Sequence, residues 1–225
     1  MGHSGINVLF EGRNFTRLLG GLWTSVWIAV LSLIIGLALG ALFGVLRTSK
    51  SRLVKVIFRI YLEFFRIVLT VVLLFLFYYI LPRQFNLNWP ASVMAVIAFA
   101  LWVSAEFSDI VRGALISVPK IQRESGLALG LNKWQLFIYV LLPQAFQLEL
   151  PATINLATRV IKTTSLLMMI SVMDVINVGQ QIVEANNQTN PNGVFWVYGL
   201  IFFLYFIVDY PLSLWAKRLS KRNEA

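Results

Sequence analysis

PKIQRESGLALGLNKWQLFIYVLLP, residues 119–143, is the stretch on which the reading of this chain turns. Its first half is polar and basic, yet it sits between two long apolar segments. A helix over its opening residues is broken by Gly130, which permits the left-handed or tightly packed turn that a reversing chain needs. Leu127, Ala128 and Leu131 give that helix a small apolar face, the pattern of helix-in-groove recognition. Arg123 and Glu124 flank the face, placed to pair with charges on a partner's rim. In so hydrophobic a chain, a polar helix–turn–helix outside the lipid is expected to touch another protein.

Composition sets the surroundings of that stretch. Of 225 residues, 58% are hydrophobic and the mean hydropathy is +0.76, against roughly 45–50% apolar residues in soluble domains. The chain reads as an all-α integral membrane protein. It has no cysteine, so neither disulfides nor thiolate metal sites contribute. The one histidine, His3, reads as solvated rather than ligating, and no catalytic or metal set is found. The net charge of +9 is concentrated at the ends of apolar spans. That is the positive-inside pattern of a membrane protein, not a nucleic-acid stripe. Neither a removable signal nor a myristoylation site is expected at the N-terminus, where Ile6 stands at the position that wants Ser or Thr.

Taken in order, residues 1–21 read as a weakly amphipathic surface segment, and five spans follow at about 22–46, 56–81, 91–115, 152–172 and 194–215. Each is long enough for the roughly 20 residues that a crossing needs. In the first, Ser32, Gly36, Gly40 and Gly44 recur every four residues, leaving a bare face for close helix packing. Arg47, Lys50, Arg52, Lys55 and Arg59 then place the first loop in the cytoplasm and the N-terminus outside. Parity puts the 119–136 loop inside as well. Pro143 and Pro151 predict a kinked approach to the fourth span. Residues 173–193 read as an outer segment with one short helix, and the basic tail Lys217, Arg218, Lys221, Arg222 ends in the cytoplasm. On this topology 12 of the 19 Lys and Arg lie inside, and only Arg13, Arg17 and Arg83 lie outside. The whole chain, 1–225, is read as a single transmembrane domain.

Ionisable residues within spans are costly and default to function or pairing. Arg59, Glu63, Arg66 and Thr70 share one face of the second span if it is helical throughout. Trp102, Glu106 and Asp109 do so on the third, and Asn155, Arg159 and Lys162 on the fourth. Mutual neutralisation, Glu63 with Arg66 and Glu106 with Arg159 or Lys162, competes with substrate contact. Lys162-Thr163-Thr164-Ser165 is different: a cation with three hydroxyls near mid-span suits a carboxylate or a zwitterion. The candidate path is therefore Lys162, Thr163, Thr164, Ser165, Arg159, Glu106 and Trp102.

Glu124-Ser125-Gly126, then Gly130, then nine residues to Val140-Leu141-Leu142-Pro143, resembles the EAA loop of ABC-transporter permeases, with Ser125 and Gly126 for two alanines and Val140 for an isoleucine. Leu19 to Thr24, Tyr61 to Arg66, Asp109 to Ala114, Leu127 to Tyr139 and Ile161 to Leu166 are similar to the polar amino-acid uptake permeases of the histidine/glutamine type. The resemblance covers roughly residues 18–217. It implies a type I ABC importer permease fold in a bacterial inner membrane, with 119–136 as a coupling loop contacting the ATPase through Arg123, Glu124, Gly126, Leu127, Ala128, Gly130 and Leu131. It also implies two ATPase copies carrying ATP and Mg, a second permease subunit, and an external binding protein that delivers a polar amino acid.

Two departures from the family pattern stand out. Ile67-Val68-Leu69-Thr70 replaces Gly-Thr-Pro-Leu, which predicts an apolar, β-branched helical stretch in place of a kink. Thr163 replaces an aspartate, which argues against a cationic substrate side chain. Both favour a heterodimer over a homodimer. No phosphate-loop motif occurs, so ATP hydrolysis is expected on another polypeptide. The competing readings are a non-transporting scaffold or sensor that recruits a partner through the loop, and a secondary transporter, which the absence of an inverted repeat disfavours.

Overall fold

Nothing between Asn14 and Leu46 stops a helix, and in a computed structural model of the protein α2 (Asn14–Leu46) runs the whole way, after a short α1 (Asn7–Phe10). The structure describes residues 5–48, 51–86, 88–188 and 190–223; His3 and Lys50 lie outside them. Within the segment expected to lie at the surface over 1–21, the described residues form α1 and the first two turns of α2, with Val8, Leu9 and Leu18 buried. The helix continues through Gly20 and Gly21 because Gly21 is a contact point: a Cβ there would lie 2.8 Å from the Cα of Val175.

The remaining helices are α3 (Arg52–Ile67), α4 (Thr70–Phe85), α5 (Ala91–Ser117), α6 (Lys120–Ala128), α7 (Lys133–Ile170), α8 (Val175–Asn186) and α9 (Gly193–Asn223). No strand occurs among the described residues. By length and apolarity α2, α5, α7 and α9 can each cross a membrane, and α3 with α4 makes a fifth crossing only as a bent pair. Four of the five expected spans thus coincide with helices able to cross, and the second coincides with the bent pair. Its helix stops at Ile67, and Val68 (ψ 128°) and Leu69 (ψ 135°) are extended before Thr70 restarts it. The unbroken helix expected over Ile67–Thr70 does not form. Ile67 and Val68 are β-branched, and such residues fit extended backbone at least as well as helix. Thr70 consequently leaves the face it was expected to share with Arg59, Glu63 and Arg66.

The fourth span also differs from expectation. The helix expected over 152–172 begins at Lys133 and continues through both prolines. A wider, π-helical run over Leu136–Leu141 precedes Pro143, the usual accommodation for a helix that loses a hydrogen-bond donor. From Thr164 to Ile170 the winding tightens to 3₁₀, and it ends at Ser171 with φ 59°.

Contacts group the chain into two compact units, neither of them a contiguous segment. The first comprises Met1–Leu33, Leu69–Phe99 and Thr158–Pro211. One core in it is built on Ile28, Leu74, Phe99, Leu167 and Ile170, another on Leu18, Val175, Val178, Ile182, Val197 and Ile201. The second comprises Ile34–Val68, Ala100–Ala157 and Leu212–Ala225. Here the bare stripe of α2 meets α5. A Cβ on Gly36, Gly40 or Gly44 would lie 2.6, 2.9 or 2.6 Å from the Cβ of Val103, Phe107 or Val111. Small residues permit that approach, as membrane helix pairs require.

Asp174, fully buried before α8, accepts from the N–H groups of Ile176 (3.2 Å) and Asn177 (3.0 Å). Burial pushes its carboxyl up to about 6, against the lowering effect of those two bonds. The native state therefore holds this proton more tightly than the unfolded chain does. This group's contribution is present at low pH and is lost as pH rises from about 4 through 6. Asp174→Asn keeps an acceptor for the cap, so its melting temperature above pH 6 should equal or exceed the parent's, with a flatter slope between pH 4 and 6. Asp174→Ala loses the cap as well and should lie about 1 kcal/mol below Asp174→Asn at every pH. Thermal unfolding in detergent from pH 4 to 8 reads both.

Candidate functional site

The loop between α5 and α7 is folded by its own backbone. Leu131 N–H donates to the Gly126 carbonyl (3.1 Å) and Gly130 N–H to that of Leu127 (3.0 Å), the paired bonds of a Schellman ending. Gly130 takes φ +83°, the left-handed conformation such a turn demands. Two residues later Asn132 opens α7 with a capping box. Its Oδ1 accepts from Gln135 N–H (2.8 Å), and its own N–H donates to Gln135 Oε1 (2.9 Å). Below the turn, Ala114, Leu115, Val118, Leu136, Leu141 and Ala145 form a core.

That arrangement sorts the seven sequence candidates. Arg123, Glu124, Leu127, Ala128 and Gly130 are exposed, Leu131 is half-buried, and Gly126 is buried. Gly126 faces inward, where a Cβ would sit 2.5 Å from Leu136 Cδ1. Sequence reasoning missed three apolar residues of the exposed surface: Ile121, Leu129 and Trp134, at 69, 83 and 74% exposure. Their signal was available as large apolar side chains in an otherwise polar segment.

A second polar region in the same unit surrounds Asp109. Its carboxylate bridges Arg47 Nη2 (3.2 Å) and Arg66 Nη2 (3.3 Å), and Arg47 Nη1 also donates to Ser108 Oγ (3.2 Å). Arg66 therefore pairs with Asp109 and not with Glu63, the pairing weighed against substrate contact above. Tyr61 donates to the Leu101 carbonyl at 2.8 Å. Trp102 is buried and Glu106 half-buried on α5.

In the other unit, the hydroxyls of the Lys162–Ser165 stretch all turn back onto their own helix. Thr163 Oγ1 donates to the Arg159 carbonyl (2.7 Å), Thr164 Oγ1 to Ile161 (2.6 Å) and Ser165 Oγ to Lys162 (2.9 Å). Such bonds use the hydroxyl proton and leave oxygen lone pairs free to accept. Thr164 is buried, Thr163 and Ser165 are half-buried, and Arg159 and Lys162 are exposed. Asp209 on α9, which the sequence reading passed over, is buried and lies within the field of Lys162. Among the described residues no cluster of His, Asp or Glu is arranged to hold a metal ion.

Residues 32–223 match the family described as the binding-protein-dependent transport system inner membrane component. The chain belongs to this family. The permease is 33% identical over 205 residues to the L-cystine transport system permease protein TcyB of Bacillus subtilis (strain 168), covering 91% of this chain and 86% of that one. It is equally similar, 33% over 206 residues, to the glutamine transport system permease protein GlnP of Escherichia coli (strain K12), covering 91 and 92%. Among solved structures it superposes on one described as an amino acid ABC transporter with histidines, with TM-score 0.83, 25% identity and coverage of 92 and 94%. The inward-facing MetNI methionine ABC transporter, at TM-score 0.66 and 19% identity over 91% of this chain and 97% of that one, shares the fold. The permease is thus the transmembrane subunit of an ABC importer, a multi-pass inner-membrane protein of the type I fold. Its family works with a separate ATPase subunit and a binding protein, and the scaffold or sensor reading is disfavoured.

The burial of Gly126 makes a stability claim. Leu136 Cδ1 is the tip of a flexible side chain, and alanine is about 1 kcal/mol better than glycine in a helix. Gly126→Ala in the purified permease should therefore stay within about 1 kcal/mol of the parent, and Leu129→Ala should leave the melting temperature unchanged. Gly126→Leu should cost about 1–3 kcal/mol through overpacking. Pairing Gly126→Leu with Leu136→Val should destabilise by less than the sum of the two single changes.

Proposed function

We propose that the permease carries a polar amino acid inward, driven by an ATPase that docks on α6. The observation that carries this is a helix folded in advance of docking, with Ile121, Leu127, Leu129 and Trp134 left in solvent at 49% exposure or more. Apolar anchors on a rigid helix, rimmed by charge, suit a groove in a partner. Arg123, Glu124, Ala128 and Gly130 complete the docking surface, while Gly126 and Leu131 hold its shape from behind. With the basic loops inside, the N-terminus is outside and α6 is cytoplasmic. ATP and Mg then sit on two ATPase copies, whose closure moves the coupling helices together and turns the importer from inward- to outward-facing. Differential binding of the closed ATPase to one conformation supplies the coupling.

The names of the relatives, L-cystine and glutamine permeases, support an amino-acid cargo handed over by an external binding protein. The chemistry of α7 agrees with a zwitterion. Lys162 and Arg159 offer cations to a carboxylate, and the free lone pairs of Thr163 and Ser165 accept from an ammonium group. Thr164 supports that stretch from its buried side. Trp102 and Glu106 join the path on the sequence argument alone. A heterodimer with a second permease now rests only on Thr163 standing in place of an aspartate, because the chain still breaks at Val68–Leu69; a homodimer is the alternative.

Reconstituted with its ATPase and binding protein, the permease should show ATP hydrolysis stimulated by one or a few amino acids from a panel. Glu124→Lys should leave the complex folded and lower stimulated hydrolysis and uptake together by at least ten-fold. Unchanged hydrolysis and uptake in that variant would remove Glu124 from the docking surface. A complex that answers to no amino acid would overturn the assigned cargo.

A further inference from the structure

Helix α3 has three faces. Phe58, Tyr61, Leu62 and Phe65 turn inward, half or fully buried. Leu53, Val56, Ile57, Ile60, Phe64 and Ile67 form an apolar stripe, each 43–75% exposed. At the α-helical 100° per residue these six fall within an arc of about 100°. Immediately beside the stripe, within about 80° of arc, lie Arg52, Lys55, Arg59, Glu63 and Arg66. Four of those five line a cavity of about 380 Å³ that is completed by Arg47, Leu62, Asp109 and Arg112.

The cavity holds five cations (Arg47, Lys55, Arg59, Arg66, Arg112) against two carboxylates (Glu63, Asp109). Asp109 is already shared by Arg47 and Arg66. Among the described residues no carboxylate lies within ion-pair distance of Lys55, Arg59 or Arg112. A concentration of unneutralised cations around a cavity of ligand size calls for an anion. The adjoining stripe says which kind. A soluble anion has no use for six exposed apolar side chains on the same helix, whereas a phospholipid lays its acyl chains on them and brings its phosphate to the cations.

We propose that the cavity between α3, Arg47 and α5 is a binding site for the headgroup phosphate of an anionic phospholipid, with the acyl chains on the α3 stripe. The site depends on the permease being an inner-membrane protein and not on its cargo or its ATPase docking surface. A lipid seated there bridges α3 to the Arg47 end of α2 and to α5, and so ties together the elements that meet at Asp109.

The test uses the intact importer complex in detergent, titrated with phosphatidylglycerol or phosphatidylcholine, with retained lipid counted by native mass spectrometry and thermal stability followed in parallel. Lys55→Gln/Arg59→Gln is the diagnostic variant, because neither residue belongs to the docking surface or to the cargo path. A juxtamembrane cation is worth about five-fold in binding, so the double variant should hold phosphatidylglycerol about thirty-fold more weakly. Its melting temperature in phosphatidylcholine should match the parent's. Phosphatidylglycerol should raise the parent's melting temperature, and 0.5 M salt should erase much of that rise. Equal retention of phosphatidylglycerol by parent and variant would overturn the proposal. So would glycerol phosphate or inorganic phosphate stabilising the parent as well as the lipid does, since the site would then take a soluble anion.

Discussion

The close approach of α2 to α5 is the contact on which the second unit depends. Three glycines at four-residue intervals let Val103, Phe107 and Val111 reach the α2 backbone, and no larger residue fits at those distances. Without hydrophobic drive between helices in lipid, such close packing is what holds them. The same face continues three residues beyond Gly44 to Arg47, which is why that guanidinium arrives on Ser108 and Asp109. A packing stripe thereby fixes the geometry of a charged cluster. Asp109 then reaches a second helix through Arg66, so three segments remote in sequence share one carboxylate.

Much of this was legible because lipid is an intolerant solvent. Backbone groups in a span must be satisfied within the helix, so long apolar runs announce themselves, and glycine at a fixed interval announces a contact. The loop at 119–143 was legible for a different reason: its glycine and its polar character fix a turn locally, and the Schellman bonds around Gly130 form as the spacing implied. Where the outcome depended on the competition between helix and extended backbone at particular residues, sequence pattern misled. Val68 and Leu69 look like the middle of an apolar helix, yet they are its end. Pro143 and Pro151 look like interruptions, yet α7 absorbs both, one of them behind a run of widened turns.

The candidate residues divide along the same line. Arg123, Glu124, Leu127 and Ala128 could be placed on a surface from composition alone, since a short polar helix between spans has little else to do. Gly126 could not, because its role depends on Leu136 ten residues away, and no local pattern reports that contact. The hydroxyl run 163–165 was found as a polar anomaly in a span. Its division into one buried and two half-buried members follows from helical winding and from what the neighbouring helices cover, which a list of residue types does not contain.

The way α6 is closed off has a mechanical consequence. The turn from Gly126 to Gln135 is closed by two amide–carbonyl pairs and one reciprocal side-chain pair. A protein pressing on α6 therefore has little slack to take up, and little ordering entropy is lost when it binds. Displacement at the surface passes to the first turns of α7 through a short, stiff joint instead of being dissipated in a floppy one. The joint behaves as the elbow of a lever, and its stiffness is set by Gly130 and Asn132, the first on the proposed docking surface and the second beyond it.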